Sequence, residues 1–253
     1  MSPRGVPWDE MPELGGPSEP PSEENPVSPA PPVDVEPPRL LPRSALWFNF
    51  RIRSPHVREN VIQYVTGFAI RWPGQRGPIL VASAEAFTNP IFKLEANQVD
   101  QLVTGMSVID PVSKRELARS AGVLPIDDAS AGNVAGNISA FWGASNGRVS
   151  VLELASEVPK AGWPVWLVRI PYGTDRTPPK LLQATTSGGD DIFRFVLSGS
   201  EKMPERSGAP LLNSAGEVVG MYSRYLGENE GYATSAREIR AYLQRAIAKH
   251  PRK

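Results

Sequence analysis

Pro204-Glu205-Arg206-Ser207-Gly208-Ala209-Pro210-Leu211-Leu212-Asn213-Ser214-Ala215-Gly216-Glu217-Val218-Val219-Gly220-Met221 reads as a tight turn that presents a serine, followed by a hairpin. The apolar run Pro210 to Asn213 predicts a buried strand, Ala215-Gly216 a turn, and Glu217 to Tyr222 a second strand. A serine held at a sharp bend and followed at once by two paired strands is a way for a fold to fix one hydroxyl in space.

Working outward from that hairpin, short apolar runs recur between turn signals. Leu46 to Arg53 is aromatic and β-branched, and Val61 to Trp72 and Ile79 to Ser83 flank the turn cluster Pro73 to Pro78, which predicts a hairpin. Gly105 to Asp110 and Arg115 to Ala118 flank Pro111 to Lys114 in the same way, and Ser120 to Gly136 reads as a loop. Asn146-Gly147 stands between Ile138 to Gly143 and Val149 to Leu154 and predicts another hairpin. Val165 to Ile170, Lys180 to Thr186 and Ile192 to Leu197 complete the runs before the serine turn. Strands at this spacing predict an all-β sandwich or barrel. The chain closes differently. Ser235-Ala236-Arg237-Glu238 is a capping box, with Ile239, Leu243 and Ile247 on one face and Pro251 as the stop, so a helix is expected over 235–249.

Met1 to Arg43 is compositionally separate. It holds 13 of the 27 prolines and 8 acidic residues against 3 basic ones. Such a segment has too little apolar surface to offset chain entropy, so a disordered tail of polyproline character is expected. It serves as a spacer, or Pro17-Ser18-Glu19-Pro20 or Pro29-Ala30-Pro31-Pro32 engages a proline-reading partner. The remainder, 44–253, is expected to form one folded unit with a modest positive balance.

Composition narrows the function. The formal charge is zero, which gives no bulk electrostatic case for nucleic acid or an anionic membrane. With no cysteine and two histidines, a thiol nucleophile, a disulfide framework and a thiolate or histidine-rich metal site are excluded, and no cofactor is expected. Residues 1–10 contain no apolar run and no stretch approaches the ~20 apolar residues of a membrane span, so a cytoplasmic location is expected.

Ser207-Gly208-Ala209-Pro210, with the hairpin ending in Val218-Val219-Gly220, resembles the nucleophile segment of trypsin-like serine proteases. It is most similar to the bacterial, disulfide-free kind that includes the high-temperature-requirement proteases. Gly231-Tyr232-Ala233-Thr234-Ser235 resembles the approach to that family's last helix. The resemblance, over about Val61 to Leu243, implies two antiparallel six-stranded β-barrels, the first over about 44–155 and the second over about 156–234, and then the helix.

The family's pattern at the serine is Gly-x-Ser-Gly-Gly-Pro. Here Glu205 and Ala209 stand at two of its glycines. Within Val81-Ala82-Ser83-Ala84-Glu85-Ala86-Phe87, Glu85 occupies the place where the resemblance implies a histidine. Arg148, ahead of Val149 to Leu154, occupies the place of the aspartate; Asp127 or Asp128 fit by spacing alone. Serine is a poor nucleophile without a base to take its proton, and loss of such a group in a comparable protease costs about 10⁶ in rate. Glu205 also departs from the glycine whose backbone N–H, with that of Ser207, forms the oxyanion hole.

These substitutions lead to the expectation of a pseudoprotease, a protein- or peptide-binding or regulatory module in which Ser207 is a vestige. Glu85 and Arg148 are expected to pair across the cleft. By the resemblance, Glu201 lies at the base of the primary pocket, where an acidic group would favour Lys or Arg, and Met221-Tyr222-Ser223-Arg224 offers a strand edge to an extended peptide. Two other readings remain: a serine hydrolase in which Glu85 acts as an atypical base, and a structural subunit of a larger assembly.

Overall fold

The computed structural model describes residues 35–54, 57–84, 103–124, 138–143, 148–170, 176–204 and 207–249, with the side chains of 52–64 and 121 outside that description. Its strands are β1 (Leu46–Ser54), β2 (Val57–Ile70), β3 (Ile79–Ser83), β4 (Val103–Ile109), β5 (Glu116–Leu124), β6 (Ile138–Gly143), β7 (Val151–Leu152), β8 (Pro164–Arg169), β9 (Lys180–Thr186), β10 (Ile192–Leu197), β11 (Pro210–Leu212), β12 (Val218–Gly227) and β13 (Glu230–Ser235). Helix α1 (Ala236–Lys249) follows. Strands β1-β4-β5-β6-β3-β2 form the first antiparallel barrel, closed by the β1–β2 pair. Strands β10-β13-β12-β11-β8-β9 close the second.

Burial patterns explain the strands. On β10, Phe193, Phe195 and Leu197 face inward while Arg194 and Val196 face out, the period-2 pattern of a sheet solvated on one side. On β3 all five residues are buried, because both faces are covered. Leu80 and Ala82 enter the interior of the first barrel with Phe48, Phe50 and Phe141. Ile79 and Val81 join a second layer that also takes Leu212, Val218 and Met221 from the second barrel and Ile239, Tyr242 and Leu243 from α1. The interior of the second barrel is a third cluster, centred on Phe193, Phe195, Leu211 and Tyr222.

The link between barrels is stitched to both. Strand β7 runs parallel to the end of β2, with Ala69 opposite Val151. Two residues on, Val218 N–H donates to Glu153 O (2.8 Å) and Ala155 N–H to Val218 O (2.9 Å). Arg240 of α1 donates to the carbonyls of Leu154 (3.2 Å) and Ala155 (2.9 Å). At the head of that helix, Ser235 Oγ accepts from Glu238 N–H (3.2 Å), the expected N-cap.

Two expectations need correction. No hairpin joins Ile138 to Gly143 with Val149 to Leu154. β6 pairs with β3 and β5, which use both of its edges, and the short β7 is added to β2 instead. The loop expected from Ser120 begins later, because β5 continues to Leu124 through an irregularity between Ser120 and Gly122. Gly231 to Ser235, expected ahead of the last helix, lies in strand β13 between β10 and β12 and runs directly into α1.

Residues 1–34 lie outside the described residues, but 35–43 do not, and they pack on the barrels ahead of the Ser44 boundary. Pro38 is buried and Leu40 packs on the layer shared by barrels and helix. Ser150 Oγ donates to Pro42 O. Arg43 reaches Asp110 (3.3 Å) and the carbonyl of Arg148 (3.1 Å). Asp110 in turn accepts the N–H of Val112 (2.9 Å) and of Ser113 (3.4 Å), which fixes the β4–β5 turn.

Burial pushes the Asp110 carboxyl up, but the hydrogen bonds from Val112 and Ser113 and the charge of Arg43 outweigh it and hold the group below its ordinary value of 3.8. A depressed folded value contributes stability above about pH 4 that is lost as pH falls through that lowered value. Asp110→Asn should therefore lower stability by about 1 kcal/mol near neutral pH. The gap from the native chain should close as both are acidified below pH ~4 in denaturant titrations. A gap that stays constant with pH would show that the carboxylate charge has no part in this clamp.

Candidate functional site

The serine turn of the second barrel is wedged against the first. Gly208 N–H donates to Tyr222 O (2.6 Å) and Tyr222 N–H to Ala209 O (2.8 Å), which extends the β11–β12 ladder back to the turn. Gly208 has φ +102°, a conformation L side chains rarely adopt. A Cβ there would stand 2.1 Å from Thr66 O on β2 and 3.3 Å from Ser83 N at the end of β3. Glycine is thus required twice, by its backbone angle and by the approach of the other barrel.

This wedge sets the surroundings of Ser207. Its side chain donates a hydrogen bond to Ser83 Oγ at 3.0 Å. Ser83 is fully buried as the last residue of β3, two positions before Glu85 in the chain. Among the described residues the hydroxyl meets another alcohol, which by itself is far too weak a base to take its proton. Ser83 stands within Val81 to Phe87, but nothing local in either segment points across the barrel junction to this contact.

Glu85, Glu205, Asp127 and Asp128 lie outside the described residues, as do His56 and His250. Arg148 is exposed, and no carboxylate among the described residues lies within 4 Å of it. Its backbone carbonyl is held by Arg43. The expected pairing of Glu85 with Arg148 falls outside the described residues on the Glu85 side.

Glu201 is engaged elsewhere. Lys180 Nζ lies 2.7 Å and Arg169 Nη1 3.4 Å from its carboxylate. The hydrogen bond from Lys180, with the charges of both cations, holds the Glu201 carboxyl below the usual range. Its charge is compensated within the chain, which leaves it little to offer an incoming Lys or Arg.

The space between residues 203–204 and β12–β13 is filled by side chains. Tyr222 is 1% exposed; its hydroxyl donates to Pro204 O (3.2 Å) and its ring meets Phe195 edge-on at 5.9 Å. A Cβ on Gly231 would stand 2.8 Å from Met203 Cε and 3.0 Å from the Tyr222 ring, so both tips lie over that glycine.

Met221 and Ser223, also expected at a groove, are buried. Ser223 Oγ donates to Met221 O (3.1 Å), accepts from Thr234 N–H (3.1 Å) and lies 2.6 Å from Thr234 Oγ1. With its own proton on Met221, it receives that of Thr234. The register of β12 against β13 shifts at this residue, a bulge that turns the strand. Beyond it Arg224, Tyr225 and Leu226 are exposed. β13 pairs with one edge of this stretch, and no strand among the described residues pairs with the other. No group of three or more metal-binding side chains occurs among the described residues.

No family model matches this chain, and no curated protein matches it. Among solved structures, the fold matches a serine endoprotease from Yersinia pestis with a TM-score of 0.54 at 13% sequence identity. The match covers 82% of this chain and 64% of that one, so this chain spans under two thirds of that endoprotease's length. At such identity the likeness is one of fold, the two-barrel arrangement of trypsin-like proteases.

The wedge makes a sharp prediction. Gly208→Ala should cost at least ~3 kcal/mol, from the strained φ and from the collision with Thr66 O together. Denaturant melts would show it as a large fall in midpoint. A loss below ~1 kcal/mol would mean that the barrels are not in contact at this turn.

Proposed function

We propose that this chain is a pseudoprotease, a two-barrel protein that holds a peptide or protein segment in the cleft beside Ser207 without hydrolysing it. The observation that carries the proposal is the hydrogen bond from Ser207 Oγ to Ser83 Oγ, which gives the hydroxyl a neutral alcohol as acceptor. Sequence adds Glu85 where the resembled proteases carry histidine, and an unperturbed carboxylate with a pKa near ~4.3 is a weak base for an alcohol at neutral pH.

The binding half of the proposal rests on β12. From Arg224 to Leu226 no strand among the described residues pairs with the edge of β12 away from β13, and an extended segment adding to it would gain main-chain hydrogen bonds. Tyr225 and Leu226, at 55% and 42% exposure, lie along the same stretch. Retaining the fold while losing the base is compatible, because the turn is held by Gly208 and the β11–β12 ladder, not by the chemistry.

A fluorophosphonate probe reports an activated serine directly. The native chain is expected to remain unlabelled over hours at pH 7 to 8, under conditions that fully label an active serine protease. Labelling that disappears in Ser207→Ala would establish an active hydrolase with an atypical base, for which Glu85→Gln is the next variant to test.

A further inference from the structure

We infer that a segment bound along β12 is gripped through its main chain and presents a small side chain, Gly, Ala or Ser, toward residues 201–204, because Tyr222 and Met203 already occupy the space a larger one would need. This rests on the peptide-binding reading above and narrows it to a class of ligand.

In the resembled proteases that space is a side-chain pocket with the residue six before the serine at its base. Here that residue, Glu201, is 40% exposed at its side chain and turned to Lys180 and Arg169. Met203, two residues on, is 7% exposed and its methyl tip lies over Gly231. Tyr222 fills the rest from the barrel side. Its ring is anchored at both ends, by Phe195 at the base and by the hydrogen bond to Pro204 O at the tip.

Admitting a Leu or Lys side chain would require the Tyr222 ring to leave Phe195 and its hydroxyl to give up its acceptor. Buried tyrosines keep such a partner because the unpaired hydroxyl is costly. Forcing extra methylenes into a packed space is unfavourable as well. Main-chain hydrogen bonds to an unpaired strand edge need no such pocket, so they remain as the principal source of affinity.

Selection from a displayed library of random heptapeptides on the native full chain tests this. Recovered peptides should share one position restricted to Gly, Ala or Ser, and should slow amide exchange at residues 223–227. Replacing that residue by Leu or Lys should weaken binding at least tenfold or so. Tyr222→Ala should relax the restriction, and Met203→Ala, a milder change in case the first variant does not fold, should relax it in part. Peptides that protect 223–227 yet carry a Lys, Arg, Leu or Phe anchor would overturn the closed pocket and leave peptide binding standing. If no peptide is recovered that protects those amides, the peptide-binding reading fails and this inference with it.

Discussion

The structure depends on one apolar layer that belongs to neither barrel alone. Ile79 and Val81 of β3, Phe68 and Ile70 of β2, Leu212 of β11, Val218 and Met221 of β12, and Ile239, Tyr242 and Leu243 of α1 bury against one another. Each full burial of such a side chain is worth about 1.5–3 kcal/mol, an upper figure because unfolded chains already bury some apolar area. The strands that supply these residues also supply the barrel interiors with their opposite faces. The two barrels are therefore fixed relative to each other by the same residues that close them, and the serine turn inherits that rigidity.

The polar contacts around the layer then determine detail. Residues 151–155 hydrogen-bond to β2 on one side and β12 on the other, while Arg240 caps their free carbonyls from the helix. Exposed pairs such as Arg71–Glu153, with side chains 72% and 55% exposed, add at most ~1 kcal/mol. They decorate this seam without holding it. Arg43 acts differently, since its partner Asp110 is buried and already committed to the β4–β5 turn. Through the Arg148 carbonyl, the segment ahead of the first barrel is thereby attached to the approach to the second.

Much of this was legible in sequence where a local pattern decided the outcome. Strands β3, β6, β9 and β10 appear with the bounds that apolar runs and turn signals predict, and Ser235 caps the helix as the capping box requires. What was misread involved competition between distant segments. Asn146-Gly147 is a strong local turn signal, yet β6 finds better partners in β3 and β5. Residues 35–43 look like a continuation of a proline-rich tail, and only the folded structure shows that Pro38 is buried and Leu40 packs against the shared layer. Ser207 was visible from its own turn, whereas Ser83, its acceptor, lies 124 residues away and carries no mark of the contact.

A two-barrel fold of this kind separates two requirements that an active protease must meet together. Presenting an extended edge needs only that β12 be held from one side and from beneath, which β13 and the shared layer accomplish. Activating a serine needs in addition a base of suitable pKa within about 3 Å and a third group to orient it. On the proposed reading the first requirement is met by the packing that holds the serine turn, where Gly208 lies directly against Thr66 of the first barrel. The second calls for groups that the shared layer, among the described residues, does not contain. On the same reading, the packing of Tyr222 and Met203 over Gly231 goes one step further, adding apolar burial to the barrel end at the expense of recognition by a large side chain. The proposed selectivity and the packing of the barrel end would then be set by the same two residues, so that changing either one changes both.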